Sequence, residues 1–313
     1  MRITCGLILF SFLNLTLTGV YTAQGDSKTP FVANFIGLLI NLLLDPLLIL
    51  GVGPFPRIEV AGAAVATVSA QFVVMFVMMV GVFRSKKEEN VLKGIRLFEP
   101  FSKEELGNIC KIGGPTAIQG MVYCMISMVL TRMVAAFGAE AIATQRVGGQ
   151  IESVSWNTAD GFAAALNAFV GQNYGAKKMD RVQKGYRISF WTVAIWGALI
   201  MLAFIIFPGP IAGVFFHEEK AMEIAISYLI IIGFSEAFMC VELMTIGALS
   251  GLGKTKLCSV ISITATSMRI PLAMVLSRTS LGLDGIWWAL TLTSVAKGII
   301  FYLTFRYQMR EKC

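Results

Sequence analysis

The chain has 313 residues, of which 56% are hydrophobic and only 14% charged, with a mean hydropathy of +0.72 and a net charge of +7. A soluble domain runs nearer about 45–50% apolar and about 25% charged, so a single soluble core is excluded. The same figures exclude a disordered chain, and six Cys in this length are too few for a disulfide-stapled secreted domain. What remains is an all-α integral membrane protein. Backbone groups in lipid must pair internally, so long apolar runs read as helices. A β-barrel would alternate with period two over about ten residues, and stretches such as FVVMFVMMVGVF (72–83) do not.

A span needs about 20 apolar residues. Nine runs qualify: 3–22, 31–52, 60–83, 109–137, 139–171, 188–216, 222–250, 257–279 and 282–305. The first follows Arg2 and ends in small residues near YTAQ, features shared with a signal peptide. The second contains Asp45-Pro46, read as a helix end or kink. The fifth is the weakest, because it carries Gln145, Arg146, Gln150, Glu152, Asn157 and Asp160. Pro208-Gly209-Pro210 breaks the sixth near one end, and Arg269 with Pro271 reads as a polar anchor beside a kink in the eighth.

The basic residues lie mainly in the short segments between runs, a topology signal rather than a nucleic-acid-binding face. Seventeen Lys and Arg fall at one set of ends and four at the other. The positive-inside rule then places the C-terminus and the 84–106 loop in the cytoplasm. No CxxC pair occurs and His217 is the sole histidine, so neither a metal cluster, a redox pair nor a catalytic triad is expected. GDSK and GLGKTK lack the spacing and the preceding strand of a phosphate loop.

The chain repeats itself. Residues 19–28 (GVYTAQGDSK) align with 247–256 (GALSGLGKTK), and 60–67 (VAGAAVAT) with 283–290 (LDGIWWAL). Both copies run in the same direction, so this is a parallel repeat of three spans, 1–83 against roughly 228–305. The repeat argues for reading 3–22 as a span rather than a signal peptide. Parallel repeats mark transporters whose substrate site lies between two lobes. Three spans precede the second copy and none precedes the first, so a complete two-lobe protein is expected to need three more, twelve in all.

The segments GDSKTPF (25–31), NLLLDPLLILGVGPFP (41–56), VAGAAVAT (60–67), AFVGQNYGAKKMDR (168–181), GALSGLGKT (247–255) and RIPLA (269–273) resemble the multidrug and toxic compound extrusion (MATE) family. The resemblance covers nearly the whole chain, from about the fourth family helix to the twelfth. It implies nine helices of a two-lobe, twelve-helix transporter with a parallel pseudo-repeat. Residues 1–90 would form an incomplete N-lobe (family helices 4–6), 91–106 a cytoplasmic connector, and 107–313 a complete C-lobe (family helices 7–12). It further implies export of cationic or amphipathic drugs in exchange for H⁺ or Na⁺ across the inner (plasma) membrane. No cofactor is implied beyond the coupling ion, and no partner beyond the bilayer and a small molecule. Two departures stand out. The family's first helix, with its acidic coupling residue, lies outside this alignment. The carboxylate that some members carry near the position of Tyr123 has no counterpart between Lys111 and Gly138.

A charge at mid-bilayer costs roughly 2.5–3.5 kcal/mol on insertion scales, which makes intramembrane ionisable residues the functional candidates. In the eighth family helix Gln145, Glu152 and Trp156 share a face, and Asp160 lies about 80° round from Glu152. That stripe suits either a wet cavity or interhelical hydrogen bonding. In the tenth, Glu236 and Glu242 point about 120° apart, so they do not read as one carboxylate pair. Glu242 shares a face with Met239, and its repeat mate is Asn14. The resemblance favours Glu242 as the titrating residue, with Glu152, Asp160 and Glu236 as further cation-coupling candidates. Met121, Met125, Met128 and Arg132 form a stripe on the seventh, fit for packing or for an adaptable drug surface. Gln119 and Tyr123 flank it as possible hydrogen-bonding residues. Other readings are a lipid-linked sugar flippase, which would want a basic cavity from Arg132, Arg146, Arg269 and Lys297, and a non-transporting remnant.

Overall fold

A computed structural model describes residues 6–51, 58–84 and 102–310, and all regular structure among them is helical. The expected connector at 91–106 lies largely outside the described residues. The chain divides into two units, residues 1–100 and 101–313.

The first unit holds α1 (Leu9–Ala23), α2 (Lys28–Leu50) and α3 (Glu59–Arg84). Its core gathers Tyr21, Ala33, Val74, Met78 and Val82. Between α1 and α2, Gly25 takes φ 86°, a conformation that costs glycine nothing. Asp26 then caps α2, accepting from the Thr29 hydroxyl at 2.6 Å and from the N–H groups of Thr29 and Lys28. These bonds, the hydroxyl's foremost, hold the Asp26 carboxyl below its usual range. The cap therefore contributes above the ordinary carboxylate pKa and is lost as the pH falls below it. Its GDSK motif is thus a turn and a cap. Of the two readings of Asp45-Pro46, a helix end or a kink, the helix end does not hold: α2 runs through Pro46 and stops at Gly51, φ 71°. A proline in a membrane helix forfeits one backbone bond without ending it.

The second unit holds α4 (Lys103–Ala135), α5 (Ala139–Gly175), α6 (Met179–Ile206), α7 (Pro208–Gly213), α8 (Glu219–Gly233), α9 (Glu236–Gly251), α10 (Thr255–Ser267), α11 (Arg269–Leu276) and α12 (Leu283–Arg310). Ser102 and Glu105 form a capping box at the start of α4. At the centre α9 packs against α5, α6 and α12. The close α5 approach is possible because α5 buries small residues there: Ser155, Ala159 and Ala163. Gly247 of α9 lies directly on the Ala163 backbone. Around this centre lie Val182, Tyr186 and Val193 of α6, Met244 and Leu249 of α9, and Phe301 and Phe305 of α12.

Six helices or helix pairs among the described residues are long and apolar enough to cross a bilayer. They are α2, α3, α4, α6, α10 with α11, and α12; α8 with α9 makes a seventh if that pair is one span. The apolar runs of the sequence predict nine. The shortfall lies in α1, apolar but only 15 residues long, and in α5, whose 37 residues are ample but too polar. The run read as one helix over 222–250 is instead bent by 50° between Gly233 and Glu236.

The repeat is visible in the backbone. Gly25 and its mate Gly253 both adopt left-handed φ, 86° and 74°. Gly62 and its mate Gly285 both sit against a carbonyl of the preceding helix: an added Cβ would lie 2.6 Å from the Leu48 oxygen or 2.5 Å from that of Leu276. We expect Gly285→Ala to push α12 off α11 and cost about 1–3 kcal/mol, read as a lower melting temperature in detergent. Gly149→Ala on α5, where an added Cβ meets nothing within 4 Å, should leave that temperature unchanged or raise it.

Candidate functional site

Two adjoining cavities lie within the second unit. The first, of about 270 Å³, is lined by Gln119 and Tyr123 of α4, Trp156 and Asp160 of α5, and Met239 and Glu242 of α9. Its far wall is Ser262 and Thr266 of α10, Arg269 of α11, and Ser294 and Lys297 of α12. The second, of about 210 Å³, is lined by Tyr123, Gln145, Glu152, Trp156, Tyr228, Ser235 and Met239, among others. Tyr123, Trp156, Met239, Arg269 and Ser294 line both, so these five form the partition.

Each charge in this region has its own environment. Lys297 Nζ donates to Glu242 Oε1 at 2.7 Å, and both side chains are over nine-tenths buried. The other Glu242 oxygen has no partner among the described residues. Arg269 donates through Nε to Thr293 Oγ1 at 3.1 Å and through a terminal nitrogen to Ser294 Oγ at 2.9 Å. The break at Met268 makes Arg269 the first residue of α11, which aims it across at α12. Tyr228 of α8 donates a hydrogen bond to Glu152.

Glu236 is fully buried in the first turn of α9. Neither of its oxygens has a well-formed hydrogen bond among the described residues, although Ser155 stands beside it. It lies within electrostatic reach of Glu152. The bend before α9 creates this position. A helix N-terminus there favours negative charge, which offsets part of the cost of burying a carboxyl. Among the described residues no group of three or more His, Cys, Asp or Glu is arranged to hold a metal ion.

The expected candidates separate clearly. Gln119, Tyr123, Gln145, Glu152, Trp156, Asp160, Met239, Glu242 and Arg269 converge on the cavities. Glu236 is sealed beside them. Met121, Met125 and Met128 do not line either cavity; they are 59–72% exposed on the opposite face of α4. That face was read from spacing alone, which finds a stripe but not its direction. Asn14 belongs to the first unit, where its amide donates to the side chain and backbone oxygens of Gln71. Asp45 and Pro46 also lie in that unit, as does none of the cavity wall. Pro271 sits in the first turn of α11, just past the break. Lys297 and Tyr228 had not been singled out as partners of Glu242 and Glu152. Their contacts span 55 and 76 residues of sequence, and no local pattern reports such distances. A lysine in an apolar run facing a carboxylate elsewhere is the one signal available.

A profile of the MatE family matches residues 1–47 and 115–275. The probable multidrug resistance protein YoeA of Bacillus subtilis is 27% identical over 305 residues, which cover 97% of this chain and 66% of that protein. The probable multidrug resistance protein NorM of Thermotoga maritima is 28% identical over 316 residues, again 97% and 66%. The chain thus spans just under two-thirds of the length of these relatives. A crystal structure of a MATE proline-to-alanine mutant superposes with a TM-score of 0.89 over 99% of this chain and 69% of that one, at 20% identity. With the family profile matched over most of its length and the fold shared throughout, the chain belongs to the MatE family of multi-pass membrane transporters.

Proposed function

We propose that the chain serves ion-driven export of amphipathic, chiefly cationic small molecules, as part of a transporter of the relatives' full length. In this reading α1 and α5 also cross the bilayer, giving nine spans with the C-terminus in the cytoplasm of an inner (plasma) membrane. Residues 1–90 belong to an N-lobe and 107–313 make up a C-lobe. The mixed aromatic and carboxyl lining, Tyr123, Trp156 and Asp160 beside Met239, supports an amphipathic cation as cargo.

The observation that carries the coupling role is the contrast among carboxyls. Glu242 already has Lys297 as counter-ion. Glu236 has no basic partner in any salt bridge among the described residues, and Glu152 stands close to it. A buried carboxyl so placed needs a proton or a metal cation to be tolerated. Binding of either at Glu152 and Glu236 is therefore tied to the state of α8, α9 and the cavity wall. Glu242 with Lys297 acts as a fixed neutral bridge between α9 and α12. Asp160, exposed in the cavity, meets the cargo.

A flippase for lipid-linked sugars would need a net basic cavity. Arg269 and Lys297 do line it. Yet Lys297 is neutralised by Glu242, and Arg132 and Arg146 are exposed outside the cavities, which favours the cationic cargo.

In a transporter of family length carrying this sequence, Glu236→Gln should lower H⁺- or Na⁺-driven dye efflux from everted vesicles by about tenfold or more. Unchanged efflux would remove Glu236 from the coupling. The bridge predicts a different pattern. Lys297→Met alone strands a buried carboxylate and should cost about 3–5 kcal/mol. The double change Glu242→Gln with Lys297→Met should recover most of that loss. Thermal melts of the four forms in detergent give the comparison, and additive losses would contradict a paired bridge.

A further inference from the structure

A third cavity, of about 620 Å³, opens between α6 and α12, away from the transport cavities. It lies at the N-terminal end of α6 and the C-terminal end of α12, which is the Lys- and Arg-rich end of the unit. Arg187 and Trp191 sit one turn apart on the α6 wall, and Tyr302, Arg306 and Arg310 one turn apart on the α12 wall. Tyr186 and Phe305 stack at 3.6 Å between ring centroids with an angle of 14°, and close the floor. The Tyr186 hydroxyl is tied to Thr245 of α9 at 3.0 Å, so the floor is held from below. The Arg306 guanidinium sits 5.8 Å from the centre of the Tyr302 ring, which orients it.

Three arginines thus rim one cleft, and none of them is salt-bridged to a carboxylate among the described residues. Asp180 is the acidic group nearby, lining an adjoining hollow with Lys184 and Arg187. Guanidinium forks match phosphate oxygens in pairs. Trp191, itself 61% exposed, begins a stripe down α6 that continues through Ile195, Leu199, Leu202 and Ile206, all 48–59% exposed. A soluble phosphate needs the arginines alone, whereas a lipid needs the arginines and the stripe.

We propose that this cleft binds an anionic phospholipid, its phosphate between Arg187 and Arg306 with Arg310 above, and an acyl chain along the Trp191 stripe. The site is separate from the transport cavities and does not rest on the exporter reading. It would make the α6–α12 spacing sensitive to the lipid composition of the membrane.

The test uses the full chain in phosphatidylcholine nanodiscs, with Trp191 emission taken as the difference from Trp191→Phe. Phosphatidylglycerol brominated high in its acyl chains should quench this signal at a lower mole fraction than equally brominated phosphatidylcholine. That preference should fall about fivefold for each arginine removed in Arg306→Gln and in Arg187→Gln with Arg306→Gln. It should survive largely in the paired Lys variants, which keep the charge. Circular dichroism checks the helical content, and Arg306→Gln alone serves if the double change does not fold. Equal quenching by the two lipids, or an undiminished preference in the Gln variants, would overturn the proposal. So would relief of quenching by millimolar inorganic phosphate, which would mark a site for a soluble anion instead.

Discussion

A charged or strongly polar group buried inside a bilayer is costly unless another helix supplies it with a partner, and that cost organises much of this chain. Lys297 answers Glu242, Thr293 and Ser294 answer Arg269, Tyr228 answers Glu152, and Gln71 answers Asn14. Each pair joins two different helices, and each would be costly to separate in lipid. Together they act as polar ties that set which faces of α5, α8, α9, α11 and α12 turn inward. The two cavities of the second unit are the space left where those ties converge and side chains do not fill the gap.

Small residues make the ties geometrically possible. Lipid tails are as apolar as leucine, so helices in a membrane gain little by hiding apolar surface from each other; they gain by close packing. Gly247 on Ala163, Gly251 on Asn167 and, between α12 and α9, Gly298 on Phe238 bring backbones within reach. At that separation a lysine on α12 reaches a glutamate on α9. The same logic recurs in the first unit, where Gly62 lies on Leu48 and Asn14 meets Gln71. Asn14 is the repeat mate of Glu242, so the two copies keep a polar link from the first helix to the third but only one of them charges it. The copy with the charge also lines a cavity with Asp160 and Arg269.

Much of the helical layout was legible because apolar runs and the glycines between them are local signals. Gly25 and Gly253, and Gly62 and Gly285, could be matched as letters before their shared geometry was visible. The bend before Glu236 was not legible. No proline marks it, and Gly233 alone does not distinguish a bend from a close contact with Phe204. Without the bend, Glu236 looked like one more residue along a continuous span. With it, Glu236 stands in a first turn, sealed beside Glu152. The methionine stripe, fit for packing or for a drug surface, shows a different limit: it lines neither cavity of the second unit. Its periodicity was read correctly, but a helix has two sides, and spacing cannot say which side meets the cavity.

The sequence by itself determined that this is a helical membrane protein with a parallel three-helix repeat, because hydropathy and glycine spacing act within a few residues of chain. It also narrowed the candidate residues to the polar groups inside apolar runs, since the bilayer penalises each of them individually. Tertiary structure alone decided which of them meet. Glu242 became half of an ion pair, Glu236 a carboxyl without a basic partner, and Arg269 a hydrogen-bonded strut on the cavity wall. Those roles depend on contacts across 24 to 76 residues of sequence, and a buried charge takes its character from the group that packing brings against it.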